Sequence, residues 1–335
     1  MLRIKYEDMV KEFERVLTKK GFSADIAKRS GELFAQNSLD GVYSHGVNRF
    51  PRAISYVDKG YIKIDAEPTV EGSMGGFERW NGNLAMGNTN AQSAMNRAIE
   101  LAKQHGIGIV ALGNTNHWMR GGAYGWQAAE AGMIGMCWTN TIPNMPSWGS
   151  KDINIGNNPF IMAIPRSNKE HVVVDCAMAQ FSYGKIEECK FKGQQLPVVG
   201  GYDSEGNATT DPLEIEKTWR VLPIGFWKGS GISIALDLIA AVLSGGNSTT
   251  AIGKKCEDEY GLSQILIAID PTHMSSKEIT DSIIDEVIDD IKSSEKVDEN
   301  GNIFYPGERS INTRKDNLAN GIPVVEEIWN SIKEM

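Results

Sequence analysis

Two of the five histidines stand beside residues that could take part in catalysis. His45 lies in the run Ser44-His45-Gly46, and Arg49 follows four residues after it. On a helix, positions four apart share one face, so the imidazole and the guanidinium would project together. A guanidinium can hold a carboxylate through two hydrogen bonds, while an imidazole protonates the neighbouring carbonyl oxygen during reduction. The pair therefore predicts 2-oxo acid chemistry; the alternative is a histidine that merely caps a helix.

His117 is the second candidate. It lies in the polar segment 114–122, directly after a predicted strand, where α/β proteins commonly present ligand-binding groups. The alternative is a turn that its own asparagine side chains satisfy. The other three histidines, His105, His171 and His273, are expected from their positions to be structural.

Ser44 beside His45 raises the possibility of a hydrolase. Adjacent side chains rarely point at each other well enough to act as nucleophile and base. The sequence also lacks the G-x-S-x-G elbow that presents a catalytic serine. A hydrolase is therefore not predicted.

A phosphate site is predicted at Lys228-Gly-Ser-Gly231, ahead of an apolar stretch, 232–243, that we expect to form a buried helix. A lysine and free backbone N–H groups at a helix start both favour an anion. The alternative is a plain helix start with an exposed lysine. The pattern Gly106-x-Gly-x-x-Ala111 is rejected as a dinucleotide motif, because it follows a helix and opens a strand.

No metal site or disulfide framework is predicted. The four cysteines, Cys137, Cys176, Cys189 and Cys256, are widely spaced and form no C-x-x-C pair. No P-loop, HExxH or EF-hand pattern occurs.

The hydrophobic pattern divides the chain into helical ends and an α/β middle. Helices are predicted over 6–17, 23–38 and 47–56, with further amphipathic helices near the C-terminus. The middle is expected to hold a helix from Ala91, capped by Asn90, and a series of strands; these strands are 107–112, 134–139, 160–164, 172–175 and 264–270. The polar segment 193–211 is interpreted as a surface loop.

Composition is that of an ordinary globular protein. Of its 335 residues, 41% are hydrophobic and 23% are charged. The length suits two or three substructures rather than one small domain. A net charge of -9 argues against nucleic acid as a partner. No apolar run of membrane-span length and no signal-peptide core is evident, so we expect a cytoplasmic protein without a membrane partner.

Longer motifs resemble those of a known family over essentially the whole chain. The segments that carry the resemblance are Gly41–Arg52, Asn116–Gly122, Cys137–Asn140 and Leu222–Gly231. They are similar to the malate/L-sulfolactate/L-lactate dehydrogenase family, which is distinct from the Rossmann-type lactate and malate dehydrogenases. The run Trp118-Met119-Arg120 favours a branch that acts on a diketo sugar acid.

The resemblance implies an α/β, non-Rossmann fold like that of L-sulfolactate dehydrogenase. Its central mixed sheet would be flanked by helical N- and C-terminal segments packed together. With the pattern above, it predicts a helical domain, 1–70 plus 275–335, and an α/β nicotinamide-binding and substrate region, 71–274. A homodimer is implied, and NADH (with NADPH possible) is the implied cofactor.

The resemblance also implies roles for individual residues. His45 matches the proton donor, and Ser44, Arg49 and His117 match substrate-binding positions. The implied cofactor-binding residues are His171, Val172, Val173, Val174, Asp175, Cys176, Ala177, Trp227, Lys228, Gly307, Glu308 and Arg309.

The implied activity is reduction of 2,3-diketo-L-gulonate to 3-keto-L-gulonate, with hydride delivered to the 2-oxo carbon. Two alternatives remain open from the residues. One is reduction of another 2-oxo acid, similar to malate or lactate, or of a cyclic imine carboxylate. The other is a non-catalytic protein that binds a sugar acid.

Overall fold

A seven-stranded mixed sheet forms the centre of the protein. The computed structural model describes residues 2–255 and 258–335, so Cys256 lies outside the described residues. With strands numbered along the chain, the sheet order is β2 (Thr69–Met74), β3 (Phe77–Asn81), β4 (Ile107–Thr115), β12 (Leu262–Ile269), β5 (Ile134–Thr139), β8 (Phe160–Ile164) and β9 (Val172–Cys176). The β3–β4 pair is parallel and the other pairs are antiparallel. The predicted mixed sheet is confirmed.

Alternation along the strands gives the sheet two apolar faces. In β4, Val110 and Leu112 belong to a core with helices α4 (Gly87–His105) and α5 (Gly122–Glu130), while Ala111 belongs to a core on the opposite face. The prediction that Asn90 caps α4 is wrong. Asn90 lies inside the helix, where its amide donates to the Gly82 carbonyl at 2.8 Å.

Helix α8 (Trp227–Ser244) packs against the opposite face of the sheet, as predicted, but only part of its surface is buried. Leu236 and Ala240 are buried, whereas Leu238 and Val242 are 55% and 70% exposed. A helix lying on one side of a sheet can bury only one stripe of its surface. With 18 residues and a mean hydropathy of 1.3, this helix is long and apolar enough to span a membrane. An apolar segment of this length was not identified from the sequence.

The helical ends of the chain pack together. Helices α1 (Tyr6–Lys19), α2 (Ala24–Leu39), α3 (Phe50–Asp58) and α12 (Glu326–Glu334) share one core. At its centre, the rings of Phe13 and Phe50 stack with centroids 4.3 Å apart. Strand β1 (Leu2–Ile4) pairs with β13 (Ile322–Val324), a two-stranded sheet that joins the two ends of the chain.

The other strands and helices complete the fold. The remaining strands and helices are β6 (Met145–Pro146), β7 (Ile153–Ile155), α6 (Tyr183–Phe191), β10 (Gly201–Tyr202), β11 (Ala208–Thr209), α7 (Pro212–Thr218), α9 (Thr249–Lys255), α10 (Lys277–Ser293) and α11 (Glu308–Asn320). The segment 193–211, expected to be a loop, contains the β10–β11 hairpin.

Helix α10 has the predicted amphipathic pattern, yet much of its apolar face is exposed. Ile279, Ile283 and Val287 are each more than half exposed, and Ile288 is buried. The helix contacts the β8–β9 loop through an ion pair between Arg166 and Asp285, 2.8 Å long. The domain boundaries at 70 and 275 remain a prediction.

Candidate active site

His45 ends a short 3-10 turn, Tyr43–His45, that connects α2 to α3. The Asn37 side chain donates to the His45 carbonyl at 3.0 Å, and Val47 N–H donates to Ser38 Oγ at 2.8 Å. Gly46 is required at this point, because a Cβ there would overlap Ser38 Oγ and the Phe34 carbonyl oxygen. These contacts fix the loop that carries His45.

The predicted helix that would place His45 and Arg49 on one face does not begin at His45. Helix α3 begins at Phe50, and Arg49 is its N-cap. The two groups are close nevertheless, since the Arg49 charge is a cause, after burial, of the lowered pKa of His45. Together these effects bring the pKa of His45 to about 4.

Ser44 does point at its neighbour, contrary to the expectation for adjacent side chains. Its Oγ lies 3.0 Å from His45 Nδ1, a contact formed within the tight 3-10 turn. The opposite ring nitrogen of His45, Nε2, forms no hydrogen bond with any residue that the structure describes. That nitrogen is therefore available to a ligand.

Arg49 is a half-buried cation without a partner. Among residues 2–255 and 258–335, no side chain forms a hydrogen bond or ion pair with its guanidinium. Burial and the nearby Arg52 charge lower the pKa of Arg49, while Glu259 acts in the opposite direction. An unpaired charge that has lost part of its hydration is a favourable site for an anion.

His117 lies against His45, as the sequence interpretation requires for a shared site. The two rings are nearly parallel, with centroids 5.8 Å apart and an angle of 25° between their planes. Nδ1 of His117 accepts a hydrogen bond from Met119 N–H at 2.9 Å, which places the ring hydrogen on Nε2. Burial, followed by the charge of Arg49, lowers the pKa of His117 well below its usual value.

Glu259 completes this cluster and was not found from the sequence. Its Oε1 lies 3.7 Å from His117 Nε2, and its Oε2 accepts a hydrogen bond from Ile142 N–H at 3.1 Å. The residue is 8% exposed, and burial raises its pKa. No motif surrounds Glu259, and it is brought to His117 by the chain's return after α9.

A second charged cluster lies beside the first. Asp40 accepts hydrogen bonds from Arg120 at 2.5 Å and from Arg314 at 2.7 and 3.0 Å. Arg120 also contacts Asp175 at 3.3 Å, and Asp175 accepts a bond from Gly122 N–H. The Asp175 charge opposes the lowering of the His45 pKa, which places this carboxylate near the imidazole. Asp40 and Arg314 were not singled out from the sequence, and Arg120 was noted only as part of the run Trp118-Met119-Arg120.

The three predicted cofactor segments meet along β9. Val173 N–H donates to the Pro306 carbonyl at 2.9 Å, and this sets Gly307 against the strand. At the far end, Ile224 N–H donates to the Met178 carbonyl at 2.8 Å, which brings the segment before Trp227 to the end of β9. Gly307 has φ +96°, a backbone conformation that favours glycine.

The side chains of these segments differ in what they can contact. Asp175, Trp227, Lys228 and Arg309 are exposed. Glu308 is held by Lys292, with oxygens 2.5 and 2.6 Å from its ammonium. His171 is 1% exposed and its Nδ1 accepts from Arg166 N–H at 2.9 Å, so it can offer a ligand only its backbone.

The predicted phosphate site at Lys228 lacks the free amides that were expected. The helix begins at Trp227 rather than at Ile232, and the first-turn N–H groups of Lys228 and Gly229 donate to the carbonyls of Gly225 and Ile224. The Lys228 ammonium remains, 5.5 Å from the centroid of the Trp227 ring.

Comparisons with known proteins place this geometry in a family. The model of the malate/L-lactate dehydrogenase family matches residues 4–333. The chain is 47% identical to the 2,3-diketo-L-gulonate reductase of Citrobacter koseri over 334 residues, which is 100% of both proteins. Among solved structures, the sulfolactate dehydrogenase of Methanocaldococcus jannaschii has a TM-score of 0.92 and 31% identity, covering 99% of this chain and 96% of that one.

The malate dehydrogenase of Pyrococcus horikoshii has a TM-score of 0.90 and 29% identity, covering 99% of this chain and 95% of that one. The predicted family and fold are thereby confirmed, and the chain is an oxidoreductase. This protein belongs to the malate/L-lactate dehydrogenase family.

Proposed function

We propose that this protein reduces 2,3-diketo-L-gulonate to 3-keto-L-gulonate with NADH. The observation that carries the proposal is the pairing of an unpartnered guanidinium, Arg49, with an imidazole whose Nε2 has no partner among the described residues. These are the groups that a 2-oxo acid requires for its carboxylate and its carbonyl oxygen. The name of the Citrobacter koseri relative supports the choice of substrate.

Membership of a dehydrogenase family implies a nicotinamide cofactor. The residues fit such a group: the exposed Asp175 carboxylate, the Trp227 ring and the Lys228 ammonium lie around one end of β9, and Gly307 packs on its backbone. Lys228 would neutralise phosphate charge, and Trp227 would offer a flat apolar surface. When bound, the reduced cofactor supplies hydride; the choice of NADH over NADPH belongs to the proposal.

The residues of the chain act on the substrate in a fixed order. Arg49 binds the carboxylate at C1, which orients the C2 carbonyl toward His45. In the free protein the pKa of His45 is about 4, and Arg49 is one of its causes. The substrate carboxylate neutralises Arg49, so binding raises the pKa of His45 and favours its protonation. His45 Nε2 then donates its proton to the oxygen that becomes the hydroxyl group.

Ser44 and His117 hold the donor ring. The Ser44 hydroxyl contacts Nδ1, and the His117 ring lies parallel to that of His45, which limits its rotation. With Nδ1 of His117 already accepting from Met119, this ring contacts substrate through its face or edge rather than through Nδ1. The arrangement keeps Nε2 of His45 directed to the site.

His45→Ala tests the proposal. General acid catalysis contributes about 10²–10⁴-fold, so kcat for NADH-dependent reduction should fall by that factor. His273→Ala is the control, because His273 is exposed and lies near Asp270, at the end of β12. Oxidation of NADH is followed by its absorbance. Unchanged kcat and an unchanged pH profile in His45→Ala would show that His45 is not the acid.

The same assay separates the alternatives. A panel of malate-like and lactate-like 2-oxo acids and a cyclic imine carboxylate tests for another substrate. Absence of turnover with every acid, together with binding of a sugar acid, would favour a non-catalytic binding protein. A higher kcat/KM with NADPH than with NADH would overturn the cofactor choice.

A homodimer is part of the proposal, and α8 is the surface that supports it. Besides Trp227, five apolar side chains of this helix are at least 40% exposed; they are Ile232, Ile234, Leu238, Ile239 and Val242. An apolar patch of this kind suits a second copy of the chain. Sedimentation at micromolar concentration should give twice the chain mass, and Leu238→Glu should give the monomer.

A further inference from the structure

The charged groups around His45 set the charge that a substrate must carry. Arg120 and Arg314 face Asp40 and Asp175, so these four groups balance. Close by, Lys59 pairs with Asp258 at 2.7 Å, which also balances. The net charge of the substrate site therefore depends on the remaining cluster of Arg49, Arg52 and Glu259.

Glu259 faces both arginines without forming an ion pair to either. Its charge acts on Arg49 and on Arg52, where it favours the charged guanidinium in each case. Arg52 donates to Tyr56 Oη at 3.0 Å, and the same oxygen accepts from Glu259 N–H at 3.4 Å. Tyr56 therefore holds Glu259 and Arg52 on adjacent sides of one hydroxyl group.

The carboxylate of Glu259 is fixed rather than mobile. Ile142 N–H donates to one oxygen, and the other faces the hydrogen-bearing Nε2 of His117 at 3.7 Å. A buried carboxylate held in this way cannot turn toward solvent when a ligand arrives. Against the burial that raises the pKa of Glu259, the charges of Arg49 and Arg52 and the hydrogen bond from Ile142 N–H favour its ionised form, a negative charge beside the guanidinium that receives the substrate.

We propose that Glu259 is a specificity-determining residue. Its negative charge leaves the site with one net positive charge, so the site selects 2-oxo acids that have one carboxylate and an uncharged tail. This inference rests on the proposed function for the identity of the site. With both histidines neutral, Arg49 and Arg52 contribute two positive charges and Glu259 removes one. A ligand with one carboxylate balances that net charge, so a second carboxylate would make the site net negative and would be repelled by Glu259.

The test compares two acids of equal carbon number, 2-oxobutyrate with one carboxylate and oxaloacetate with two. Glu259→Gln keeps the size of the side chain and an oxygen acceptor, but removes the charge. We expect the ratio of kcat/KM for oxaloacetate to that for 2-oxobutyrate to rise about tenfold. Asp58→Asn is the matched control, since it removes one carboxylate charge from the helix that carries Arg52, at an exposed ion pair with Lys20, and its ratio should stay within about twofold of the wild type.

A second variant tests the inference independently in case Glu259→Gln does not fold. Arg52→Gln removes a positive charge from the same cluster, so the ratio should move in the opposite direction, against oxaloacetate. Circular dichroism and thermal unfolding verify that each variant folds. An unchanged ratio in both variants, or a change in Asp58→Asn equal to that in Glu259→Gln, would overturn the inference.

Binding separates this inference from the proposed function. The dissociation constants of the two acids are measured by calorimetry on the full chain with oxidised cofactor present, so no turnover is needed. One outcome is that the wild type binds 2-oxobutyrate more tightly than oxaloacetate, that this difference is lost in Glu259→Gln, and that the wild type nevertheless reduces neither acid. That result would support charge selection and refute the proposed function. Binding of neither acid to the wild type would overturn the charge selection itself.

Discussion

The two charged clusters on either side of His45 differ in how fully their members are paired. Asp40 is 4% exposed and receives hydrogen bonds from two arginines and from Gln36 at 2.8 Å. The guanidinium of Arg49, in the other cluster, has no hydrogen bond or ion pair with the residues that the structure describes. Both clusters hold partly or fully buried charge, so burial alone does not distinguish them.

The difference separates a structural role from a ligand-binding one. In the Asp40 cluster, each guanidinium has a carboxylate, and the contacts join α2 to the loop before α5 and to α11. In the Arg49 cluster, the missing partner is a carboxylate that a 2-oxo acid would bring. A cluster whose charges are all paired is destabilised when one partner is removed, whereas a cluster with an unpaired charge gains free energy when an anion binds to it.

Asp40→Asn should have the largest effect on stability. The variant leaves Arg314 without its carboxylate and Arg120 with Asp175 alone. Removing one partner of a buried ion pair costs about 3–5 kcal/mol, so the free energy of unfolding should fall by that amount in a urea titration. A loss no greater than that of Asp58→Asn, at the exposed ion pair with Lys20, would show that the Asp40 cluster is not the structural one.

Arg49→Gln should chiefly change activity. Loss of the charged hydrogen bonds to a carboxylate, each contributing about 1.5–3 kcal/mol, should lower kcat/KM by about 10²-fold or more. Stability should not fall, because the unpartnered Arg49 charge is removed from a buried site. Unfolding of this variant at lower urea concentration than the wild type would contradict the comparison.

The pH profile of Arg49→Gln sharpens the same point. In the proposed mechanism reduction needs protonated His45, so kcat/KM should fall as pH rises through the pKa of His45, which is about 4 in the wild type. The positive charge of Arg49 lowers that pKa, and its removal must raise it. The decline should therefore begin at higher pH in the variant, and an unshifted profile would mean that Arg49 does not act on His45.

Ser44→Ala should give the smallest effect. The variant removes the hydroxyl contact to Nδ1 of His45, a bond whose net contribution is about 0.5–1.5 kcal/mol. We expect kcat to fall by about 2–10-fold, with KM and the unfolding free energy almost unchanged. A loss as large as that of His45→Ala would indicate that Ser44 takes part in proton transfer itself.

Five strands of the central sheet and several helices could be predicted from the hydrophobic pattern alone, whereas the β10–β11 hairpin was interpreted as a loop. Strand β5 was predicted at its observed limits, 134–139, and α2 within one residue at each end. Helix α8 shows where this reasoning stops. Uniformly apolar sequence indicates that a helix must be covered, but it cannot say whether the cover is the same chain or another.

The site was predicted in part, and the reason lies in sequence distance. His45 and Arg49 are close in the chain, and their residue types indicated an acid beside a carboxylate clamp. Glu259 lies more than 140 residues from His117, its nearest ring contact, and no local motif marks it. Asp40 looked like an ordinary helix-end residue until Arg120 and Arg314 reached it from two other elements.

Sequence by itself determined the periodic elements, the family resemblance and the chemistry available at His45 and Arg49, because these depend on residue type and short spacing. Tertiary structure decided which charges were paired. The sequence contains the arginines and carboxylates of both clusters, but only the packing of α2, α11 and the chain after α9 brings Asp40 to its two arginines and Glu259 to His117. Charge balance in a buried site is set by distances between remote residues, and sequence order does not specify those distances.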